Sequence, residues 1–535
     1  MKRNRFLLVL LVGILLTITG TSIFGFASPA DNTVTAAIRN WDYDTLDPHV
    51  STFTQSWWMI NHFTDTLVFM RPDGGFSPAL AASWEAVDGG KEWIFHLREG
   101  VTFHDGTPWN AQALVDNFDR ILDPETNSLS FINKLKGLQA TEILDPMTVR
   151  LVFEEPFAGF LLAISQPGFG YISPTAFNDP ANVKSQDKLV GTGPFILQEE
   201  IYQQRVTMVR NPDYAWGPDF MDHQDAAYLD KLIWRFIPED ETRLAALQTG
   251  EVDAIAEVPS VEVEGLRADP DYEILFFEKP GIGQVYHLNS QLFPTDDLAV
   301  RQAINYAIDQ ETISEVIFQG LRPPSYGILM RPSPYYNWDI EDMYPYDPEK
   351  AMEVLDAAGW IDPTGGGTGT RTKDGRLLVI NFATYPGFVA EAPAEMAQAM
   401  LRKVGIQMNI SVLTGSAMFE GAAMIGSVLN SCVCGDSMAD IATALYWYCH
   451  SDMAGIVNLA HYSTPEIDAL IDTAFQTTDE ALKDHALKEV QRIWMEQALC
   501  APTVAATMVW GSNSSLTGVK FLIDGTPTFY DAKFK

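Results

Sequence analysis

The chain of 535 residues is poor in basic residues. Lysine and arginine total 35 against 70 aspartates and glutamates, so the formal net charge is −35 at pH 7. Such a charge repels nucleic acid and anionic membrane surfaces, and we exclude both as partners. We interpret the acidic excess as a solubility feature, with attraction of a cationic ligand as the alternative.

The sequence has only four cysteines, Cys432, Cys434, Cys449 and Cys500. In an oxidising compartment, four cysteines allow three pairings. Cys432 and Cys434 are too close in the chain for a comfortable bridge to each other. A bridge from either to Cys449 and a set of free thiols both stay open. These residues and His450 match no zinc-ligand spacing, and we expect neither a metal nor a cofactor.

Catalytic signatures are also missing. The chain has no Gly-x-Ser-x-Gly elbow and no His-Glu-x-x-His motif. His104 and Asp105 lie in a predicted tight turn, where a structural role is expected. His450, Ser451 and Asp452 are adjacent, and adjacent residues cannot form a catalytic triad by themselves. We therefore expect no enzyme, and a secreted hydrolase is the remote alternative.

One long apolar run stands near the N-terminus, at residues 6–26. Basic residues precede it, and the small residues Gly25 and Ala27 occupy the −3 and −1 positions of a cleavage site. This pattern predicts a secretory signal peptide over residues 1–27, with an uncleaved anchor as the alternative. No cysteine lies near the cleavage site, so no lipid anchor is expected. The mature chain should reside in the periplasm or on the outer face of the cytoplasmic membrane.

What the sequence does have is a clear alternation of strands and helices. In the run from Leu80 to Pro108, a turn at Asp88-Gly89-Gly90 precedes a strand whose positions alternate from Trp93 to Leu97. Val101 to Phe103 is predicted to form a second short strand, and a helix follows. Similar alternation along the rest of the chain indicates an α/β protein.

Aromatic residues are abundant, with 13 tryptophans. Most large rings belong in the core. Trp57 and Trp58 are neighbours, as are Tyr446, Trp447 and Tyr448, so the rings of a cluster cannot all face one core if they are helical. We predict that one ring of each cluster lines a ligand groove, where a rigid ring offers a large contact area.

The run from Leu80 to Pro108 resembles the signature of the family 5 solute-binding proteins of ABC importers. Similar blocks occur in order at residues 191–195, 243–253, 346–360 and 458–470. The resemblance implies an α/β, two-lobed periplasmic-binding-protein fold with a hinge and an additional inserted domain. It implies these limits: signal peptide 1–27; domain I at 28–75, 188–283 and 500–535; domain II at 76–187; domain III at 284–499.

The same resemblance implies a function. Such a protein captures a short peptide between its lobes and delivers it to the permease subunits in the membrane, and we expect a monomer. Asp440 matches the aspartate that binds the peptide ammonium in peptide-binding relatives. Cys434 and Ser437 stand where those relatives often carry aromatic or polar residues, so they are candidate ligand contacts. Because of this departure, an oligosaccharide stays open as the alternative ligand. A separate alternative role is that of a chaperone-like peptide holder that serves no transporter.

Overall fold

The computed structural model describes most of the chain. Its described residues are 32–535 apart from 40–42, 52, 73, 129–130, 136, 158, 179–187, 366–368, 386–387, 415–416, 419–420, 423–427, 438–439 and 478, and apart from the side chains of 133, 388, 436 and 437. The predicted signal peptide lies outside these residues. No helix within the described ranges has the length and apolar character needed to cross a membrane.

The first lobe is built on a large mixed sheet. Within the described residues it has seven strands, in the order Tyr272–Glu278, Thr507–Asn513, Ala254–Ala256, Thr33–Ile38, Lys231–Phe236, Arg205–Arg210 and Phe195–Ile201. The three central strands, from Ala254–Ala256 to Lys231–Phe236, run parallel to one another. A separate antiparallel sheet extends this lobe, in the order Ala81–Val87, Glu92–Leu97, Thr148–Phe153 and Leu138–Asp145.

The second lobe has its own five-stranded sheet in the described chain. Its strands are, in order, Gln407–Val412, Val379–Thr384, Ser431–Ser437, Gly281–Leu288 and Cys500–Val504. Val379–Thr384 runs parallel to both of its neighbours. The sheet therefore includes strand Cys500–Val504, just beyond the predicted limit of domain III at 499. A strand from one domain can complete the sheet of another, so this pairing does not test the predicted domain limits, which stay a prediction.

Helices and short hairpins complete both lobes. The described α-helices are Thr54–Phe63, Ala111–Leu122, Phe160–Ile164, Pro174–Phe177, Asp240–Gln248, Val263–Ala268, Leu298–Ala307, Gln310–Phe318, Pro348–Ala357, Phe388–Lys403, Ile441–Cys449, Pro465–Gln476 and Glu480–Glu496. Two-stranded hairpins join Val68–Met70 to Phe76–Pro78, Thr372–Lys373 to Arg376–Leu377, Leu516–Thr517 to Lys533–Phe534, and Lys520–Phe521 to Pro527–Thr528. The α/β architecture expected from the sequence is confirmed.

Two short extended crossings connect the lobes. One joins strand Tyr272–Glu278 to strand Gly281–Leu288, and the other joins Cys500–Val504 to Thr507–Asn513. The crossings are hydrogen-bonded to each other, since the Lys279 amide donates to the Ala506 carbonyl at 3.0 Å. A pair of short backbone crossings is the geometry of a hinge, where a few residues absorb the change in φ and ψ.

The signature run from Leu80 to Pro108 is scaffold. Trp93, Phe95 and Leu97 are buried, as the alternation predicted. The predicted strand at Val101 to Phe103 is reduced to an isolated antiparallel bridge between Thr102 and Pro108. Phe103 donates its amide to the Thr107 carbonyl at 2.8 Å, so these residues close a tight loop.

The block at residues 191–195 is held against the first helix of the first lobe. Gly193 donates its amide to the Phe63 carbonyl at 3.0 Å. A Cβ at Gly191 would lie 1.9 Å from the Phe63 carbonyl oxygen, so only glycine fits there. His104 reaches this block through a 2.9 Å contact from Nε2 to the Gly193 carbonyl oxygen. The close packing explains this part of the family signature without any role in ligand binding.

Candidate ligand-binding cleft

The carboxyl ends of parallel strands from both lobes face one cleft. In the first lobe, Arg39 follows strand Thr33–Ile38 and Glu257 follows strand Ala254–Ala256. In the second lobe, Tyr385 follows strand Val379–Thr384. The charge of Glu257 acts on Tyr385, so the two edges approach each other. Ligands of open α/β sheets bind at such carboxyl ends.

The first-lobe face of the cleft is a network of ion pairs. Arg39 Nε lies 2.8 Å from Glu257 Oε2, and Arg39 Nη2 lies 2.7 Å from Asp240 Oδ2. Asp240 also pairs with Arg243 at 2.6 Å. Glu257 has a φ of 56°, in the left-handed region that a non-glycine residue adopts only at a cost.

Arg243 explains how this face is built. Its side chain is fully buried, and its Nη1 donates to the Ile237 carbonyl at 2.9 Å while its Nε donates to the Ala256 carbonyl at 3.2 Å. These two carbonyls lie at the ends of the two strands that flank strand Thr33–Ile38. The arginine therefore fixes the backbone just before Glu257 and holds that carboxylate at the cleft.

The second-lobe face is less charged. Gln284 Nε2 donates to the Tyr385 hydroxyl at 2.9 Å. The Cys434 Sγ lies 3.2 Å from the Tyr448 hydroxyl oxygen. Tyr448 also stacks on His287, with ring centroids 5.1 Å apart. Burial raises the pKa of Tyr385, which stays a neutral hydrogen-bonding phenol.

Arg322 adds a positive charge to this second-lobe face. It is partly buried, and its guanidinium lies 5.2 Å from the centroid of the Phe318 ring. Burial lowers its pKa, and the charge of Glu257 across the cleft opposes that shift. No carboxylate among the described residues forms an ion pair with it. The neighbouring Pro323 carbonyl accepts the Ala505 amide at 2.7 Å, which places Arg322 beside the hinge.

Asp440 begins the helix Ile441–Cys449 and lies at the cleft. Its side chain is buried, and it accepts the Thr443 amide at 3.1 Å as an N-cap. The Thr443 hydroxyl also donates to it. Both contacts stay within its own helix, so they leave the carboxylate's charge without a cationic partner from the second lobe in the described chain.

The charge of Asp440 acts on Lys134 of the first lobe. Lys134 is partly buried, and burial lowers its pKa, an effect that the charge of Asp440 opposes. No described carboxylate comes within 4 Å of its ammonium. Burial and then the hydrogen bond to Glu480 raise the pKa of Tyr335 of the second lobe, and the charge of Asp440 adds a smaller contribution. The charge of Asp440 therefore acts on a residue of each lobe.

The neighbouring tryptophans separate as predicted, with one ring in a core. Trp58 is 3% exposed and packs on Trp510 at 5.7 Å, inside the first lobe. Its proposed ligand contact is therefore corrected, because the core covers the ring. Trp57 is half-buried, donates Nε1 to the Ser51 carbonyl at 3.2 Å and lies 6.2 Å from Phe131. Trp57 is thus partly accessible, and its contact with a ligand stays a prediction.

The candidates around helix Ile441–Cys449 have different surroundings. Tyr446 is half-buried and donates its hydroxyl to Asp452 at 3.1 Å. Trp447 is half-buried against the apolar core of the second lobe. Ser437 ends a strand opposite Gly281, but its side chain lies outside the described residues. The structure thus brings Cys434 together with Tyr448.

The four cysteines are free thiols. Cys432, Cys449 and Cys500 are buried, and Cys434 is half-buried. In the described chain, no three histidine, cysteine, aspartate or glutamate side chains are grouped so that they could hold a metal ion. The possible bridge to Cys449 is therefore not formed.

Sequence reasoning missed Arg39, Glu257, Arg322 and Lys134. A partial signal existed for Glu257, because it closely follows the block 243–253 that matches the family. Arg322 and Lys134 have no such signal, since each is a single cation outside any repeated pattern. Their place in the site becomes visible only from the charges that the fold brings near them.

The comparisons with known proteins agree with this two-lobed cleft. The model of the bacterial extracellular solute-binding proteins, family 5, matches residues 75–432. The chain belongs to this family. As a family 5 protein it is the solute-binding component of an ABC importer, as the resemblance implied. The glutathione-binding protein GsiB of Shigella flexneri is 29% identical over 520 residues, which cover 96% of each chain.

Solved structures of two other proteins have the same fold. NikA from Brucella suis, in complex with Fe(III)-EDTA, superposes with a TM-score of 0.81 at 25% identity, covering 94% of this chain and 100% of NikA. DppA from Helicobacter pylori, in complex with the peptide STSA, superposes with a TM-score of 0.75 at 25% identity, covering 94% and 98%. GsiB and DppA are named as binding proteins, and the family is described as extracellular.

Proposed function

We propose that the cleft captures a short peptide and that closure of the lobes presents it to a membrane permease. The observation that carries the proposal is Asp440, a buried carboxylate at the cleft without a cationic partner in its own lobe among the described residues. A peptide ammonium supplies the charge-assisted hydrogen bond that such a carboxylate favours. Trp57 and Cys434, both half-buried near the cleft, are proposed as further ligand contacts.

The names of the relatives suggest which peptides to test first. GsiB binds glutathione, and DppA was solved with the peptide STSA. Glutathione is therefore the first probe, followed by di- to tetrapeptides. Oligosaccharides are the second ligand class, because Trp57 and Trp447 remain half-buried rings.

The test is ligand-dependent stability together with calorimetric affinity. A ligand that binds only the folded protein, at 100 times its Kd, raises the free energy of unfolding by about 2.7 kcal/mol. We expect this gain with at least one peptide and no gain with oligosaccharides. Stabilisation by oligosaccharides alone would reverse the assignment. Mass spectrometry of small molecules released on denaturation identifies any ligand that co-purifies.

We also propose that the chain is exported through residues 1–27, carries no lipid anchor, acts as a monomer and catalyses no reaction. Sequencing of the mature N-terminus tests export through residues 1–27 and the absence of a lipid anchor. Light scattering with and without peptide tests the monomeric state. A recovered peptide of unchanged mass after incubation tests the last. The predicted domain limits are tested by limited proteolysis, which cleaves exposed segments between domains.

A further inference from the structure

A contact between the lobes lies outside the hinge crossings. Gly159 belongs to the first lobe and directly precedes helix Phe160–Ile164, while Phe475 belongs to the second lobe and lies near the end of helix Pro465–Gln476. A Cβ built on Gly159 would lie 4.0 Å from Phe475 Cδ1, at an ordinary van der Waals distance. The ring from the second lobe therefore packs against the backbone of the first lobe.

Aromatic packing fixes the first-lobe side of this contact. Phe160, which follows Gly159, packs edge-on against Phe153 with ring centroids 4.9 Å apart, and both rings are buried. Phe157 meets Phe153 in the same way at 5.7 Å. Phe157 Cε2 also lies 3.3 Å from the position of a Gly159 Cβ. Gly159 is thus part of a well-packed surface, with the Phe157 ring beside it.

Phe475 is held within its own lobe by Tyr446. The two rings are nearly perpendicular, at 87°, with centroids 5.8 Å apart. Tyr446 is itself fixed, because its ring lies 4.7 Å from the ring of His450 and its hydroxyl donates to Asp452 at 3.1 Å. The second lobe therefore presents the half-buried Phe475 ring to Gly159 in a fixed orientation.

The backbone does not explain why residue 159 is a glycine. Its φ of −77° and ψ of 6° are open to other residues. It is the N-cap of helix Phe160–Ile164, where serine, threonine, asparagine and aspartate are favoured because their side chains bind helix amides. A side chain here would instead enter the space between Phe157 and Phe475. The glycine therefore leaves room for the ring of the other lobe.

We propose that Phe475 is a latch, which stabilises the closed cleft by packing against Gly159 and has to leave Gly159 before a ligand escapes. The inference rests on the proposed function, because it takes the lobes to close around a bound peptide. A contact that exists only in the closed form shifts the balance of open and closed forms towards the closed one. Burial of part of an aromatic ring is worth about 2- to 10-fold in that balance.

The first test measures how quickly a peptide leaves. The probe is glutathione, or the tetrapeptide STSA if glutathione does not bind. Phe475→Ala should release it about 2- to 10-fold faster than the unchanged protein in stopped-flow measurements, with little change in the association rate. Leu470→Ala is the matched control, because Leu470 lies on the same helix and packs on the core of the second lobe. It should lower stability and keep the release rate. An unchanged release rate in Phe475→Ala would refute the latch.

The second test places a wedge in the contact. Gly159→Leu adds a side chain where Phe475 lies, so affinity for the same peptide should fall by about 10-fold or more. Adding Phe475→Ala removes the ring from that space and should restore part of the affinity. Gly265→Leu is the control, because Gly265 is an exposed first-lobe glycine with no described atom within 4 Å of a built Cβ. A loss that Phe475→Ala does not restore would show that the leucine acts inside the first lobe, and the latch would be wrong.

The third test needs no ligand. Gly159→Cys together with Phe475→Cys should be joined by a short bis-maleimide, and mass spectrometry of a digest identifies the cross-link. The unchanged protein is the control for its own half-buried thiol, Cys434. Absence of the cross-link would show that the two positions do not meet in solution, which overturns the latch. Circular dichroism verifies folding, and if Gly159→Leu does not fold, the first and third tests decide.

The outcomes separate the latch from the proposed function. If no peptide binds while the cross-link forms, peptide capture fails and the contact between the closed lobes is supported. If peptides bind and Phe475→Ala releases them at the rate of the unchanged protein, the latch fails and peptide capture stands.

Discussion

Two aspartates start helices of the second lobe, and they differ in what surrounds them. Asp297 caps helix Leu298–Ala307 by accepting the Ala299 amide at 3.0 Å, and Asp440 caps helix Ile441–Cys449 in the same way. Asp297 also pairs with Lys373 at 2.7 Å and accepts Trp360 Nε1 at 3.1 Å. The charge of Asp440 instead acts on Lys134 of the other lobe, with which it forms no ion pair within 4 Å in the described chain.

The difference shows that a capping role does not decide whether an aspartate is a binding residue. Both carboxylates satisfy a helix N-terminus, which stabilises a helix by about 1 kcal/mol. The Asp297 carboxylate also binds Lys373 and Trp360 of its own lobe. The Asp440 carboxylate forms no ion pair among the described residues of its own lobe, so we expect Asp440 to contribute more to ligand binding than to folding.

The largest expected effect is on stability at Asp297. Asp297→Ala removes the helix cap and the acceptor of the Trp360 indole N–H, and Trp360 is 1% exposed. Leaving that buried donor unpaired adds to the loss of the cap, so unfolding should become easier by about 2–4 kcal/mol. Urea unfolding measures the change. Peptide affinity should stay the same, and a parallel loss of affinity would contradict the comparison.

The next effect is on affinity at Asp440. Asp440→Asn keeps a good N-cap but removes the charge that a peptide ammonium needs. We expect peptide binding to weaken by about 1.5–3 kcal/mol, or about 10- to 150-fold, with little change in urea unfolding. Calorimetry measures the affinity.

Asp297→Asn is the matched control, because it makes the same chemical change at the other helix start. Its peptide affinity should equal that of the unchanged protein. Unaltered affinity in Asp440→Asn would remove Asp440 from the binding site, whatever its role in the helix.

The sequence predicts the frame of the molecule better than it predicts the cleft. Trp93, Phe95 and Leu97 were correctly placed in a strand, because burial on one face repeats every second residue. Val101 to Phe103 shows the same apolar character but closes a loop through Thr107, and three residues are too few for a period to decide.

The cleft could be predicted only in part, for physical reasons. Asp440 was found by resemblance to a family, not from its neighbours in the chain. Which of Trp57 and Trp58 is buried could be decided only from the orientation of their helix, since two adjacent tryptophans look alike in the sequence. Arg322 and Lys134 are single cations, and the charges that act on them come from distant parts of the chain, so no local pattern in the sequence identifies them.

The smallest expected effect is on the pH dependence of stability. Burial alone would raise the pKa of Asp297, but the hydrogen bonds from Lys373, Trp360 and Ala299 hold it below its ordinary value. A carboxylate whose pKa is lower in the folded state stabilises the fold above its unfolded pKa of about 3.9, and loses that contribution as the pH falls through the folded pKa. The unfolding free energy of the unchanged protein should therefore fall more steeply below about pH 5 than that of Asp297→Asn. Urea unfolding at a series of pH values measures both slopes, and parallel slopes would show that Lys373 and Trp360 do not favour the charged form of Asp297.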